Sequence, residues 1–334
     1  MNNPPISRAA APTLKSRALA AFSAEVPEGA VKSFFGCDDR FALLTDATDA
    51  NDRSNEVYVE FSSREPLRSP LEIYVGRRRV VAGIWRTDVW ADGQKLDATG
   101  SWQTLCEEID DDGAFLERLL PLAGGRSLSR RLFVACKEGL FLNVDVLYGS
   151  NAERAAGELG SKSAEPAPLL RTRSLFPLDP AETLVSQVDE TKEVAFCDVG
   201  SDSRPFARAF LLSSNETLAV KTTYGGVLAS ESRRQGGVLC VATLFDWNAS
   251  RATRTFSVDK ATVGENLRAV GDDLAIGRQI RLGRERYVLY VSTSRRPAIR
   301  SILSRNLLSD FMFGKFFIGR GVEPLVDVEV PDDF

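Results

Sequence analysis

The sequence predicts an all-β protein, a large antiparallel β-sandwich with few short helices. Short apolar or alternating runs recur every 8–14 residues from residue 38 onward, and Gly, Pro and Asp-Gly signals separate them. That rhythm is the mark of a sandwich or barrel, and the lack of a fixed-period repeat argues against a propeller.

The runs begin with Arg40–Thr45, Glu56–Phe61 and Leu71–Val75, each bounded by polar or Pro/Gly residues. Val80–Trp90 continues the pattern, and Asp92-Gly93 supplies a two-residue hairpin turn. Ser129–Cys136 and Leu140–Tyr148 flank Lys137-Glu138-Gly139, whose glycine accepts the positive φ of a tight turn. Further strands are predicted at Val194–Cys197, Ala207–Leu212, Leu218–Thr222, Val238–Phe245 and Arg254–Val258, with Gly225-Gly226 and Gly236-Gly237 as turns. Arg286–Ser292 holds five consecutive apolar residues, which suggests burial on both faces. Val322–Val330 ends the series with period-two alternation. Helix signals are limited to a short turn at Ala261–Leu267 and to Ser301–Phe317, whose apolar residues approach helical spacing. Residues 1–30 read as a disordered tail, and 31–334 as one large sandwich domain with the Gly/Pro-rich loop 149–168 as a subdivision.

Composition removes whole classes of chemistry. The 334 residues include no His, so triads, Cys-His pairs and His-zinc sites are excluded. The net charge of −4 opposes nucleic-acid binding by bulk charge. No apolar run approaches membrane-spanning length, and the first residues lack the apolar core of a secretory signal. Five scattered cysteines without a C-x-x-C pair read as reduced thiols in a cytoplasmic protein. Nucleotide-binding glycine loops and a nucleophile elbow are also absent, so neither cofactor nor catalytic residue is assigned.

Two acidic runs read as solvated loops. Glu107–Gly113 would need a bidentate acid where Leu119 stands to match the helix-loop-helix calcium template, and Asp46, Asp49 and Asp52 lack a turning glycine. No metal is therefore expected. The arginines depart most from neutrality. Arg278, Arg281, Arg284, Arg286, Arg295, Arg296, Arg300 and Arg305 fall within 28 residues against one acid, Glu285, and Arg77-Arg78-Arg79 forms a second knot. A planar guanidinium suits carboxylate, sulfate or phosphate. Among the aromatics, Trp85 sits in an apolar run and reads as core, whereas Trp90 and Trp102 flank turns and read as surface residues able to stack on sugar rings. Arg278, Arg281, Arg284, Trp90 and Trp102 are the predicted ligand-binding residues.

The run LEIYVGRRRVVAGIW, then SWQTLCEEIDDDGAFLERLLPLAGG, then SLSRRLFVACKEGLFLNVDVLYG resembles the C-terminal β-sandwich of bacterial heparinase II/III-like polysaccharide lyases. Arg130/Arg131 and Phe141–Leu147 carry the likeness, and RLGRERYVLYVSTSRRP and ILSRNLLSDFMFGKF resemble the terminal strands of related bacterial β-proteins. The resemblance implies a supersandwich-like fold. It also implies an α-toroid, His and a matched Tyr motif in the lyases, none of which this sequence shows, so the fold carries over and no catalytic residue does. The reading favoured is a non-catalytic module binding acidic carbohydrate or a protein partner. Two alternatives stay open. One is a His-free lyase or glycosidase using Tyr58, Tyr74, Tyr148, Tyr224, Tyr287 or Tyr290 beside an arginine, or carboxylates such as Asp145 and Glu117. The other is a scaffold whose edge strands pair with partners.

Overall fold

The computed structural model describes residues 32–36, 40–45, 55–61, 64–75, 78–109, 113–135, 137–149, 167–179, 183–187, 193–198, 205–212, 221–223, 227–294 and 298–329. The predicted tail 1–30, most of the loop 149–168, Asp46, Asp49, Asp52, Asp110–Asp112, Gly225-Gly226, Arg77, Arg295 and Arg296 lie outside them. So do Cys37, Cys136 and Tyr224.

Twenty-six strands among the described residues form four antiparallel sheets. The first sheet runs β1 (Lys32–Gly36), β2 (Arg40–Thr45), β3 (Asn55–Glu60), β4 (Arg68–Val75), β5 (Arg78–Ala91), β11 (Leu169–Pro177), β16 (Val227–Gln235), β15 (Lys221–Thr223), with β6 (Gln94–Lys95) hairpinned onto β5. The middle sheet runs β12 (Thr183–Gln187), β13 (Glu193–Asp198), β14 (Pro205–Leu211), β17 (Val238–Asp246), β10 (Leu140–Tyr148), β9 (Arg126–Ala135), β8 (Gly113–Leu122), β7 (Gln103–Ile109). The third runs β18 (Phe256–Lys260), β21 (Ala275–Leu282), β22 (Glu285–Ser292), β25 (Ser309–Phe317), β26 (Gly321–Glu329). A fourth, small sheet runs β20 (Arg268–Ala269), β19 (Val263–Glu265), β23 (Arg300–Ile302), β24 (Arg305–Leu307).

The cores between the sheets give the layering. Val81, Trp85, Leu170 and Phe176 of the first sheet meet Leu128, Leu132, Phe141 and Phe245 of the middle one. On the other face of the same middle strands, Phe133, Leu142, Val144 and Leu244 meet Tyr287, Leu289 and Phe313 of the third sheet. Val288, Tyr290 and Met312 of the third sheet then pack on Val263 and Ile302 of the fourth. The predicted sandwich is thus present with further layers stacked on it. Two-faced burial explains why β10 is buried at all nine positions and why Tyr287–Val291 of β22 are at most 1% exposed.

Both predicted hairpin turns form. Asp92 and Gly93 take φ of 51° and 79°, the left-handed pair of a tight two-residue turn. Gly139 takes φ 66° with Trp247 against it, where an added Cβ would lie 3.0 Å from the indole.

The helical expectation is corrected. Ser301–Phe317 contributes to β23, β24 and β25, and Ala261–Leu267 holds β19 and a turn. β25 is covered by the second and fourth sheets, so its apolar residues occupy both faces and lose the period-two signature. Its register also shifts at Phe313/Gly314. Among the described residues the only helical piece is the 3-10 turn Ala123–Gly125. No helix among them is long and apolar enough to cross a membrane.

Two ion pairs on adjacent residues of β9 point to opposite faces of the middle sheet. Arg130 and Asp145 are cross-strand partners and meet side-on, Nε to Oδ1 at 2.8 Å and Nη2 to Oδ2 at 3.0 Å. Thr87 and Ser174, themselves cross-strand partners in the first sheet, close the site. Arg130 donates to the Thr87 hydroxyl at 2.6 Å, and the Ser174 hydroxyl donates to Asp145 at 3.4 Å. The guanidinium lies 3.7 Å from the centre of the Trp85 ring. Arg131 points the other way, to its cross-strand partner Glu117 at 2.9 Å, which also accepts from Ser129. Removing one member of a buried pair strands the other charge. Asp145→Ala is therefore expected to lower unfolding free energy by about 3–5 kcal/mol, and Asp145→Leu with Arg130→Met by distinctly less, in urea titrations.

Candidate functional site

The alternation that buries Trp85, Thr87 and Val89 turns Arg86, Asp88 and Trp90 of β5 to the outer face of the first sheet. Neighbouring β11 places Arg171 and Arg173 there, because Leu170, Thr172 and Ser174 face inward. The antiparallel register sets Arg171 beside Trp90 and Arg173 beside Asp88. On the far side, Arg233 and Glu231 of β16 pair with Arg171 and Arg173, and Lys95 of β6 lies opposite Trp90.

These residues form one open surface. The half-buried indole of Trp90 is flanked by the guanidinium carbons of Arg171 at 4.5 Å and Arg173 at 5.4 Å from the ring centre, within cation–π range. Asp88 is 1% exposed and accepts from Arg86 at 2.9 Å, Lys95 at 2.8 Å and Arg173 at 3.0 Å. Burial acts to raise its pKa, but hydrogen bonds from Lys95, Arg173 and Arg86 outweigh it and hold the carboxyl below its ordinary value. Arg171 bonds Glu231 at 2.8 Å with its side chain still 40% exposed. The face thus carries five cations against two carboxylates. A cavity of about 300 Å³ adjoins it, lined by Glu65, Arg68, Arg86, Asp88, Lys95 and Asp97.

The structure sorts the sequence-predicted residues differently. Trp90 lies on this face. Trp102 is 7% exposed: its Nε1–H donates to the Pro66 carbonyl at 2.7 Å and its ring meets Phe61 edge-on at 5.5 Å, which corrects its assignment to the surface. The three arginines do not converge, since a spacing of three on a strand of period two alternates faces. Arg278 is 3% exposed and donates to the Leu212 and Gly277 carbonyls, so it too is corrected to the interior. Arg281 is exposed on the opposite side of β21, and Arg284 is exposed in the hairpin turn. Arg171, Arg173 and Arg86 were missed by the sequence reading. Their signal is the alternation LLRTRSLFP beside a strand carrying an exposed Trp.

The groups named for a His-free enzyme are also dispersed. Asp145 and Glu117 face opposite sides of the middle sheet, each held in an ion pair. Tyr287 is fully buried, and burial together with its 2.6 Å donation to Glu138 raises its pKa. It belongs to a clasp in which Lys315 bonds Glu138 at 3.0 Å and Arg251 bonds Asp246 at 2.8 Å. Tyr290 is 0% and Tyr148 6% exposed. Burial and neighbouring Glu72 push half-buried Tyr74 to about 12. The Tyr58 side chain lies outside the described residues. Among the described residues no three potential ligands gather to hold a metal ion.

Asp88 gives a pH prediction. Its folded pKa lies below the ordinary value of 3.8, so its contribution is complete above that pH and is lost as pH falls through the lowered value. Asp88→Asn is expected to cost about 1–3 kcal/mol at neutral pH and to flatten the decline in melting temperature below about pH 4.

No family model matches the sequence, and no curated protein matches it. Solved structures do match in fold. A heparan sulfate lyase, HepC from Pedobacter heparinus, aligns with a TM-score of 0.54 at 10% identity over 84% of this chain. A heparinase III, the BT4657 gene product, aligns with the same score and identity over 83%. In each case this chain spans 45% of the other's length. What the chain shares with these heparinase III structures is the all-β fold described above.

Proposed function

We propose that the protein binds an acidic carbohydrate along the outer face of the first sheet, with Trp90 stacking on a sugar ring and Arg171, Arg173 and Arg233 receiving its anionic groups. The flanking of the Trp90 ring by Arg171 and Arg173 on an open face carries this reading. Sugar rings present C–H faces that pack on indole, and sulfate or carboxylate oxygens suit the planar guanidinium fork. Holding the two arginines against the ring reduces the side-chain entropy lost on binding. The likeness in fold to a protein named a heparan sulfate lyase adds a reason to look among sulfated polysaccharides first.

Binding without cleavage is part of the proposal. Both carboxylates of the face, Asp88 and Glu231, are engaged by cations, and Asp88 is held ionised, which suits it to positioning arginines and not to donating a proton.

The test is the melting temperature in heparan sulfate, an unsulfated uronate polysaccharide and neutral dextran, at low and moderate salt. A ligand that binds only the folded state raises it. A salt-sensitive rise with the acidic polymers alone is expected, with Trp90→Ala and Arg171→Ala/Arg173→Ala each weakening binding about tenfold or more, near 1.4 kcal/mol. Equal rises in all three proteins, or none with any polymer, would overturn the proposal.

A further inference from the structure

A second surface lies at one end of the third sheet, where two hairpins turn side by side. The first turn is Gly283-Arg284, between β21 and β22, and the second is 318–320, between β25 and β26. The register that sets Tyr287 opposite Lys315 brings the two turns next to each other. Five arginines stand on or just behind them. Arg281 and Arg286 are cross-strand partners behind the first turn, with side chains on the same face. Arg284 belongs to the first turn and Arg320 to the second. Arg254 arrives from the segment before β18. Its stem lies across Gly283, where an added Cβ would come within 3.0 Å of it. At the second turn Ile318 is 78% exposed, and Phe316 and Phe317 before it are partly exposed.

The fold supplies these arginines with no counter-charge. None of the five makes an ion pair among the described residues. The carboxylates at this end of the stack are taken by other cations: Glu285 by Arg251 at 2.5 Å and Lys315 at 3.1 Å, Glu138 by Lys315 at 3.0 Å, and Asp246 by Arg251 at 2.8 Å. Glu323 lies in register with Lys315 and Tyr287, on the face away from Arg286. Asp259, two residues along β18 from the partner of Arg281, is not paired with them either. Like charges directly opposite on a sheet repel, so Arg281 beside Arg286 costs stability until an anion from outside answers them.

We propose that the two turns dock the protein on an anionic phospholipid surface, with the arginines against the headgroups and Ile318 entering the interface. A guanidinium forks onto phosphate or carboxylate oxygens, and each cation held near an anionic leaflet tightens binding about fivefold. Ile318 selects among the polyanions. A soluble acidic polymer offers nothing to an exposed aliphatic side chain, whereas the boundary between headgroups and acyl chains accepts it. Such docking needs no membrane-spanning segment, because the protein lies on the surface. The site is separate from the face around Trp90, since the first and third sheets cover opposite faces of the middle sheet.

The probe is a vesicle of phosphatidylcholine with or without phosphatidylserine, mixed with the full chain and read by co-sedimentation at low and moderate salt. Partition onto the phosphatidylserine vesicles is expected to exceed that onto phosphatidylcholine alone by about tenfold or more, and to fall with salt. Arg281→Gln/Arg284→Gln/Arg286→Gln, at side chains that reach solvent, is expected to lose that binding about tenfold or more. Its melting temperature should hold or rise, because the cross-strand repulsion goes with the charges. Ile318→Ser is expected to weaken vesicle binding about threefold or more. Amide hydrogen exchange on the unmodified chain is expected to show vesicle-induced protection at the turns 283–284 and 318–320. Arg171→Ala/Arg173→Ala is expected to leave vesicle binding unchanged, so failure here and failure of the glycan proposal are read separately. No preference for phosphatidylserine, undiminished binding by the triple variant, or protection away from the turns would overturn the inference. Undiminished binding by Ile318→Ser would also overturn it, by assigning the turns to a soluble polyanion.

Discussion

The central strands of the middle sheet, β8, β9, β10 and β17, are packed on both faces, and most of the architecture follows from that constraint. A strand with one wet face has its register set by hydrophobic alternation, since a slip of one residue exchanges core for solvent. In β8, β9, β10 and β17 a slip would exchange one apolar core for another, so alternation says little. Charge supplies what is missing. Arg130 and Arg131 are adjacent in sequence and point to opposite cores, each meeting a cross-strand carboxylate. A one-residue slip of β9 would separate both pairs and leave four charges buried alone, each costing several kcal/mol, of order 10 kcal/mol or more together. Against well-packed apolar residues such pairs add little stability; against the wrong register they discriminate strongly.

The same constraint assigns chemistry to the periphery. Carboxylates and arginines inside the stack are consumed by one another, as the pairs on β9 and the clasp around Glu138 show. Solvated chemistry is left to the outer face of the first sheet and to the sheet edges. On the outer face around Trp90 the groups left to solvent are cationic and aromatic.

Much of the fold could be read in the residues. The LFLNVDVLY run, the Lys137-Glu138-Gly139 turn and the five apolar residues of β22 announce double burial and a hairpin directly. That hairpin alone sets Arg130 opposite Asp145, so the central ion pair was legible once the turn was placed. β25 was not legible as a strand from its periodicity, although its resemblance to a terminal strand pointed there. Its period-two signal is erased by cores on both sides, and the residual spacing around Gly314 mimics a helix. Clustering of arginines in sequence misled for a geometric reason, because strand alternation sends Arg278 inward and Arg281 outward. Trp102 misled because flanking a turn does not expose an indole that finds a carbonyl and an edge-on phenyl ring. The face around Trp90 depends on β5 lying beside β11, a pairing about 80 residues apart in sequence that no local pattern announces.

The order of pairing within the middle sheet has a consequence for biosynthesis. β8, β9 and β10 lie consecutively within residues 113–148, joined by short turns, and leave the ribosome as a ready meander. β10's other neighbour, β17, ends at Asp246, and the third sheet that covers the meander's second face begins at Phe256. At a synthesis rate of about 5–20 residues per second, the meander waits on the order of 5–20 seconds with the face of Phe133, Leu142 and Val144 uncovered and the β17 edge of β10 unpaired. Throughout that interval the nascent chain presents an adhesive face and an open edge, a hazard set by the connectivity of the finished protein.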